Sequence, residues 1–154
     1  NDFGAVSLKA EIANEIINKE ELLNLKELAD GAGLDFTLKI GGCEAGNDIL
    51  DAKNINASSV VAPMIESSYA LKKFVNKIRS IYQNSEKLPD LYINIETITA
   101  YNNINEILSC QEAQFINGVV LGRDDMAGSM NISKEDINSA DRQQAAAQYS
   151  ESAA

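Results

Sequence analysis

Two apolar runs in this chain each lead to a carboxylate. Leu91-Tyr92-Ile93-Asn94-Ile95 runs into Glu96, and Gly118-Val119-Val120-Leu121-Gly122 runs through Arg123 and Asp124 to Asp125. The segment between them is long enough for one helix. In a parallel strand–helix–strand unit both strands point the same way, so Glu96 and Asp125 emerge side by side at the carboxyl edge of the sheet, where such proteins build their sites. Adjacent carboxylates repel unless a cation lies between them, and a hard divalent ion with positions left for water and substrate is the usual answer. The pair predicts a Mg²⁺ or Mn²⁺ site able to bind a keto acid and to stabilise an enolate oxygen as it forms. Taken singly, Glu96 reads as a surface acid and Asp125 as part of an Asp- and Gly-rich turn.

Further candidates lie on the other runs. Lys39 closes a strand before Gly41 and Gly42, where an ammonium and bare amides suit a carboxylate or phosphate. Lys9 and Glu11, two apart on the first run, share a face of a strand. Inside a barrel their charges are costly unless paired with each other or with a ligand. Glu66 stands where it lines the mouth of the site, Ser67 or Ser68 caps a helix, and Tyr101-Asn102 reads as a helix entry. The chain has no histidine. That removes imidazole ligands, Ser–His and Cys–His pairs and His general bases, and leaves carboxylates, Lys, Tyr, Cys, a metal or amides to do any chemistry. Cys43 therefore reads as a passive small residue.

Five β-rich runs must position these groups: Val6 to Ala10, Phe36 to Ile40, Val60 to Ile65, Leu91 to Ile95 and Val119 to Leu121. Helical periodicity fills the gaps. A first helix opens on a capping box, Asn18 with Glu21, turns Leu22, Leu25, Leu28 and Ala29 inward, and stops at Gly31 and Gly33. A second spans about Glu44 to Asn54. A third starts near Ser68 with Leu71, Phe74, Val75 and Ile78 in one stripe. A fourth opens at Asn102 or Asn103 with Ile104, Ile107 and Leu108 inward, and a fifth opens at Ser133 or later. Strands alternating with helices specify an α/β fold with a mostly parallel sheet. At roughly thirty residues per unit, five units fall about three short of a closed (β/α)₈ TIM barrel, which needs roughly 250 residues. The expectation is one partial barrel domain over 1–154 with a weakly helical tail at 143–154; the competing fold is a complete, open, doubly wound domain.

The 154 residues carry a formal charge of -10, with 45% apolar and 23% charged residues. Such an acidic balance argues against nucleic acid and anionic membrane as partners, because phosphate contacts need clustered Lys and Arg. No apolar run is long enough to span a bilayer and no leader pattern is present, which together predict a cytoplasmic protein. Cys43 and Cys110 lack metal spacing and read as reduced thiols. Five strands leave open edges, so further chain or a homo-oligomer is expected.

At Val61-Ala62-Pro63-Met64-Ile65, Asn94-Ile95-Glu96-Thr97 and Gly122-Arg123-Asp124-Asp125-Met126 the sequence resembles the HpcH/HpaI-type aldolase and citrate lyase family of the pyruvate and phosphoenolpyruvate barrel superfamily. Order and spacing fit across most of residues 6 to 130. The wording Leu8-Lys9-Ala10-Glu11, Leu38 to Ala45 and Ile137-Asn138-Ser139 resembles an uncharacterised subgroup. The resemblance implies a (β/α)₈ barrel, often a hexamer, with Glu96 and Asp125 as metal ligands and the backbone around Gly122, Arg123 and Asp124 on the substrate. It implies carbon–carbon bond cleavage or formation through an enolate of a 2-keto acid or acyl substrate. Two departures stand out. The family's early-strand His corresponds to Ile12, and its carboxylate-binding Arg corresponds to Lys39, which lacks the bidentate fork. A lyase built this way must take its proton donor from a metal-bound water, Glu11, Lys9 or a partner chain. The alternative is a metal- or anion-binding barrel subunit that has lost the acid–base dyad.

Overall fold

The computed structural model describes residues 4–12 and 18–133. The expected fifth helix, from residue 134 onward, and the 143–154 tail lie outside these residues. Five strands, β1 (Ser7–Glu11), β2 (Asp35–Lys39), β3 (Ser59–Ala62), β4 (Asp90–Ile95) and β5 (Gly118–Leu121), form one sheet in the order β1-β2-β3-β4-β5, every neighbouring pair parallel. The order never reverses. A doubly wound sheet needs a reversal, because helices reach its second face only when the winding changes direction. Unidirectional winding with right-handed crossovers puts the helices on one face instead, which is barrel winding.

The core confirms the one-sided cover. Ala10, Phe36, Leu38, Ile40, Val60, Ala62, Leu91, Ile93 and Ile95 from alternate strand positions pack with Leu22, Ala29, Ile49, Leu71, Phe74, Ile78 and Ile107 from the helices. Each fully buried side chain of this size contributes roughly 1.5–3 kcal/mol. The positions between them point to the other face: Lys9, Glu11, Thr37, Lys39, Tyr92, Asn94 and Glu96. With Val61 beside Lys39 and Tyr92 that face is mostly, not wholly, polar, and in a barrel it is the interior.

The helices start where side chains can replace missing backbone partners. In α1 (Lys19–Gly31) the Asn18 side chain accepts from the Glu20 and Glu21 amides at 3.0 Å, and Glu21 accepts from the Asn18 amide at 3.0 Å, completing the expected box. The buried stripe is Leu22 and Ala29 with Leu25 half-buried, whereas Leu28 is 67% exposed. Leu28 lies about a quarter turn off that stripe, at 100° per residue. After α2 (Gly46–Asn54), α3 (Ser68–Ile81) is capped by Ser67, which accepts from the Ala70 amide, and buries Leu71, Phe74, Val75 and Ile78.

Where one helix was expected after β4 there are two, α4 (Ile98–Asn102) and α5 (Ile104–Ser109), followed by a 3₁₀ turn over Gln111–Phe115. Thr97 caps α4, so Tyr101 and Asn102 end a helix instead of opening one. On α5 Ile107 is buried but Leu108 is exposed. Residues Arg123–Ser129, read from composition as a turn, form α6, with Asp124 and Asp125 in its first turn, where acids favour the helix dipole.

Candidate active site at the carboxyl edge of the sheet

Glu96 leaves β4 on the same face as Asn94 and is only 1% exposed. A carboxylate so buried must be held by donors or it will not stay charged. Two donors are in place. The Met64 amide donates to Glu96 Oε1 at 2.9 Å, and Asn94 Nδ2 donates to Oε2 at 2.7 Å. The Met64 amide is aimed by an unusual backbone: after Pro63 the chain leaves β3 and Met64 sits at φ 51. That is left-handed territory, rare for a residue with a side chain and typical of functional edges.

Lys39 stands at the centre of the charges. Its Nζ lies 2.9 Å from Glu11 Oε1 and 3.9 Å from Glu96 Oε2, and the residue is 6% exposed. Pairing follows from register, since Lys39 lies directly across from Glu11 between β1 and β2. Burial alone would lower the lysine pKa. The hydrogen bond to Glu11 and the negative charges of Glu96, Glu11 and Asp125 outweigh it, and the pKa is raised. Glu96 and Asp125 thus act electrostatically on one ammonium.

Gly122 brings the two halves together. It pairs with the end of β4 through its amide to Ile95 O at 3.2 Å and opens α6 as its N-cap. A Cβ at this position would lie 2.5 Å from Glu96 Cβ and 2.6 Å from Glu96 Oε2. Its φ is an ordinary -84, so space and not backbone conformation demands the glycine. Asp125 follows three residues later in the first turn of α6 and is exposed, as are Arg123 and Asp124.

The remaining candidates are placed as follows. Lys9 is exposed and lies one layer closer to the amino edge, across from Thr37. Glu66 Oε1 accepts from Thr97 Oγ1 at 2.6 Å, and its carbonyl accepts from Asn103 Nδ2 at 2.8 Å, so Glu66 braces the loops after β3 and β4. The Gly41 amide, one of the bare amides expected beside Lys39, donates to Asp48 Oδ2 at 2.7 Å in the first turn of α2. Cys43 is half-buried against the core, and burial followed by the neighbouring Glu44 raises its pKa, which suits a passive thiol.

Sequence reading missed Asn94 and the structural demand at Gly122. The signal for Asn94 was present: a lone amide two residues before Glu96, on the same face of an otherwise apolar strand. Asn94 Oδ1 is buried and has no hydrogen-bond partner, which leaves an oxygen acceptor beside the Glu96 carboxylate. A separate cavity of about 580 Å³ opens at the amino edge between Asp35, Lys53, Tyr82, Lys87 and Asp90. It is at the wrong end of the strands for barrel chemistry.

The donor chemistry fits a hard cation. Glu11, Glu96 and Asp125 set three negative charges against one ammonium, while Arg123 and Asp124 add one charge of each sign. Among the described residues no three Asp, Glu, Cys or His side chains converge to cage a metal. Glu96 and Asp125 would supply two ligands and leave the rest to water and substrate, as Mg²⁺ commonly requires.

Comparison with known proteins agrees with the geometry. The sequence profile of the HpcH/HpaI aldolase/citrate lyase family matches residues 40–151. A crystal structure of an HpcH/HpaI aldolase/citrate lyase family protein from Burkholderia cenocepacia J2315 superposes with TM-score 0.77 at 14% identity, covering 94% of this chain and 65% of that one. The citrate synthase SbnG gives 0.69 at 17% identity, covering 88% and 58%. An HpcH/HpaI aldolase from Desulfitobacterium hafniense DCB-2 gives 0.68 at 16%, covering 87% and 59%. These likenesses show the fold, a TIM barrel of which the described residues supply five strands, and the chain spans about three fifths of their length. No curated protein sequence matches it. Among the described residues no helix is long and apolar enough to cross a membrane.

Proposed function

Because this chain belongs to the HpcH/HpaI aldolase/citrate lyase family, we propose that it is a divalent-cation-dependent carbon–carbon lyase acting through the enolate of a 2-keto acid or acyl substrate. The observation that carries this is the buried Glu96 carboxylate, oriented by two donors beside Lys39, an ammonium on which Glu11, Glu96 and Asp125 all act. Glu96 and Asp125 hold Mg²⁺ or Mn²⁺. When bound, the cation supplies Lewis-acid polarisation of a carbonyl oxygen.

The chain's own residues do the rest. Asn94 and the Met64 amide fix the Glu96 carboxylate, so no side-chain reorganisation accompanies the chemistry. Lys39 offers its ammonium to the substrate carboxylate as a point charge, not as a fork. Gly122, Arg123 and Asp124 present backbone at the start of α6, and the missing Cβ of Gly122 lets that backbone lie directly against Glu96. Of the two acid–base candidates, Glu11 is the better placed, since its carboxylate reaches Lys39 at the carboxyl edge while Lys9 is one layer below. A Glu11 carboxylate oxygen takes the proton of the substrate's 4-hydroxyl as the carbon–carbon bond breaks to aldehyde and enolate, and returns it to the enolate carbon to give the keto acid. The exposed Val119, Val120 and Leu121 of β5 and the free thiols of Cys43 and Cys110 suit a homo-oligomer in the cytoplasm.

The test is pyruvate release from a panel of 4-hydroxy-2-keto acids with added Mn²⁺, in wild type and Glu96→Gln. Turnover abolished by the substitution, with Mn²⁺ affinity lowered by at least the roughly 10–100-fold typical of losing even an outer-shell group, supports the lyase. Turnover that survives Glu96→Gln refutes the assignment. The absence of histidine from the sequence favours one second reading, a metal- or anion-binding barrel subunit without catalysis. It predicts Glu96-dependent Mn²⁺ binding and no turnover on any substrate.

A further inference from the structure

The ammonium of Lys39 occupies the space a cation would be drawn to. Its Nζ is 3.9 Å from Glu96 Oε2, the oxygen that also accepts from Asn94, and 2.9 Å from Glu11 Oε1. It is not a surface lysine that swings away at little cost, because its side chain is 8% exposed and its stem runs along the interior face of β2. We infer that Lys39 is the resident counter-ion of the acid cluster and that it sets how tightly a divalent cation binds beside Glu96, by competing electrostatically for that carboxylate. This rests on the proposed role of Glu96 as a cation ligand and adds a function for Lys39 beyond contact with substrate.

The physical argument is one of charge balance at short range. A carboxylate buried to 1% exposure needs a positive partner whenever the divalent ion is absent, and Lys39 supplies it. When the ion arrives it meets a positive charge about 4 Å from its ligand oxygen, and that repulsion weakens its binding. Glu11 holds the ammonium from the far side and gives it a partner to keep. The site therefore binds its cation more weakly than the same two carboxylates would without the ammonium beside them. Once Glu96 is taken by the cation, the Lys39 ammonium has fewer acids to satisfy and becomes available to the carboxylate of a keto acid. Cation and keto acid then bind cooperatively through the one side chain.

The experiment is Mn²⁺ binding, followed by calorimetry and by the electron paramagnetic resonance of free Mn²⁺, on wild type, K39Q, K39R, E11Q, E11Q/K39Q and E96Q. K39Q is expected to bind Mn²⁺ at least about tenfold more tightly than wild type, a modest part of what Coulomb's law allows for a unit charge at this distance. K39R, which keeps the charge, is expected to stay within about threefold. Binding by K39Q when wild type shows none supports the inference equally. K39Q binding no tighter than wild type overturns it. Because K39Q strands the Glu11 charge and risks misfolding, E11Q/K39Q is compared with E11Q, and the same tightening is required. The two levels separate cleanly. Wild-type binding that is lost in E96Q but not strengthened in K39Q removes only the role of Lys39. Wild-type and E96Q proteins that bind alike remove the cation site itself.

Discussion

Substituting Gly122 by alanine tests the packing on which the site depends. The added methyl would stand 2.5 Å from Glu96 Cβ and 2.6 Å from Glu96 Oε2, nearly an ångström inside contact distance, so one of the two must move. Glu96 has nowhere to go, being 1% exposed and tied to Met64 and Asn94. If its carboxylate is pushed aside, hydrogen bonds to a charged group are lost at about 1.5–3 kcal/mol each. If α6 retreats instead, overpacking of this kind costs about 1–3 kcal/mol. Gly122→Ala takes the cheaper of these responses and is expected to destabilise the chain by about 1–3 kcal/mol, a fall in Tm of roughly 2–12 °C at this size. Urea unfolding followed by circular dichroism measures it. Gly128→Ala is the comparison, since its Cβ meets nothing within 4 Å and alanine in a helix gains about 0.5–1 kcal/mol. A Gly122→Ala protein within about 0.5 kcal/mol of wild type would refute the close approach of α6 to Glu96.

Other predictions follow from buried polar atoms and caps. The Tyr82 hydroxyl is buried without a hydrogen-bond partner, so Tyr82→Phe should leave stability at pH 7 unchanged or raise it by up to about 1 kcal/mol; a loss of 2 kcal/mol or so would mean that the hydroxyl has a partner. Burial pushes the Tyr82 pKa up to about 12. Between about pH 10 and 12 the unfolded chain has then lost a proton that the folded one keeps, so stability falls as pH rises, by at most about 2.7 kcal/mol in all. Tyr82→Phe should flatten that part of an alkaline unfolding profile, and an identical slope in both proteins would count against the shift. Asn18→Ala removes the capping box of α1 and should cost about 1 kcal/mol in urea unfolding, with no effect expected on Mn²⁺ affinity.

The strands were legible because β3 and β5 hold continuous apolar runs and the other three carry apolar residues at alternate positions, all bounded by turn residues. Their winding was not legible. The same strand–helix alternation serves a doubly wound domain, and only the unreversed strand order distinguishes them. Composition misled at residues 123–129, where Asp and Gly resemble a turn. The acids at 124 and 125 immediately after a glycine were the better signal, because negative charge belongs in a helix's first turn. Thr97 was likewise readable as a cap, a hydroxyl three residues before the Ala100 amide that it accepts from. Glu96, Lys39 and Glu11 could be placed at the edge from alternation and register alone. That Lys39 contacts both acids could not, since reach along a lysine stem depends on how neighbouring strands stagger.

The hold on Glu96 Oε1 comes from the main chain at position 64, while the Met64 side chain is 45% exposed. An amide proton is common to every residue except proline, so the acid's orientation is indifferent to what this position carries outward. Unbranched residues suit the left-handed backbone best. Position 64 is accordingly the natural attachment point for a spin label or fluorophore that reports on the mouth of the site while leaving its carboxylate where it is.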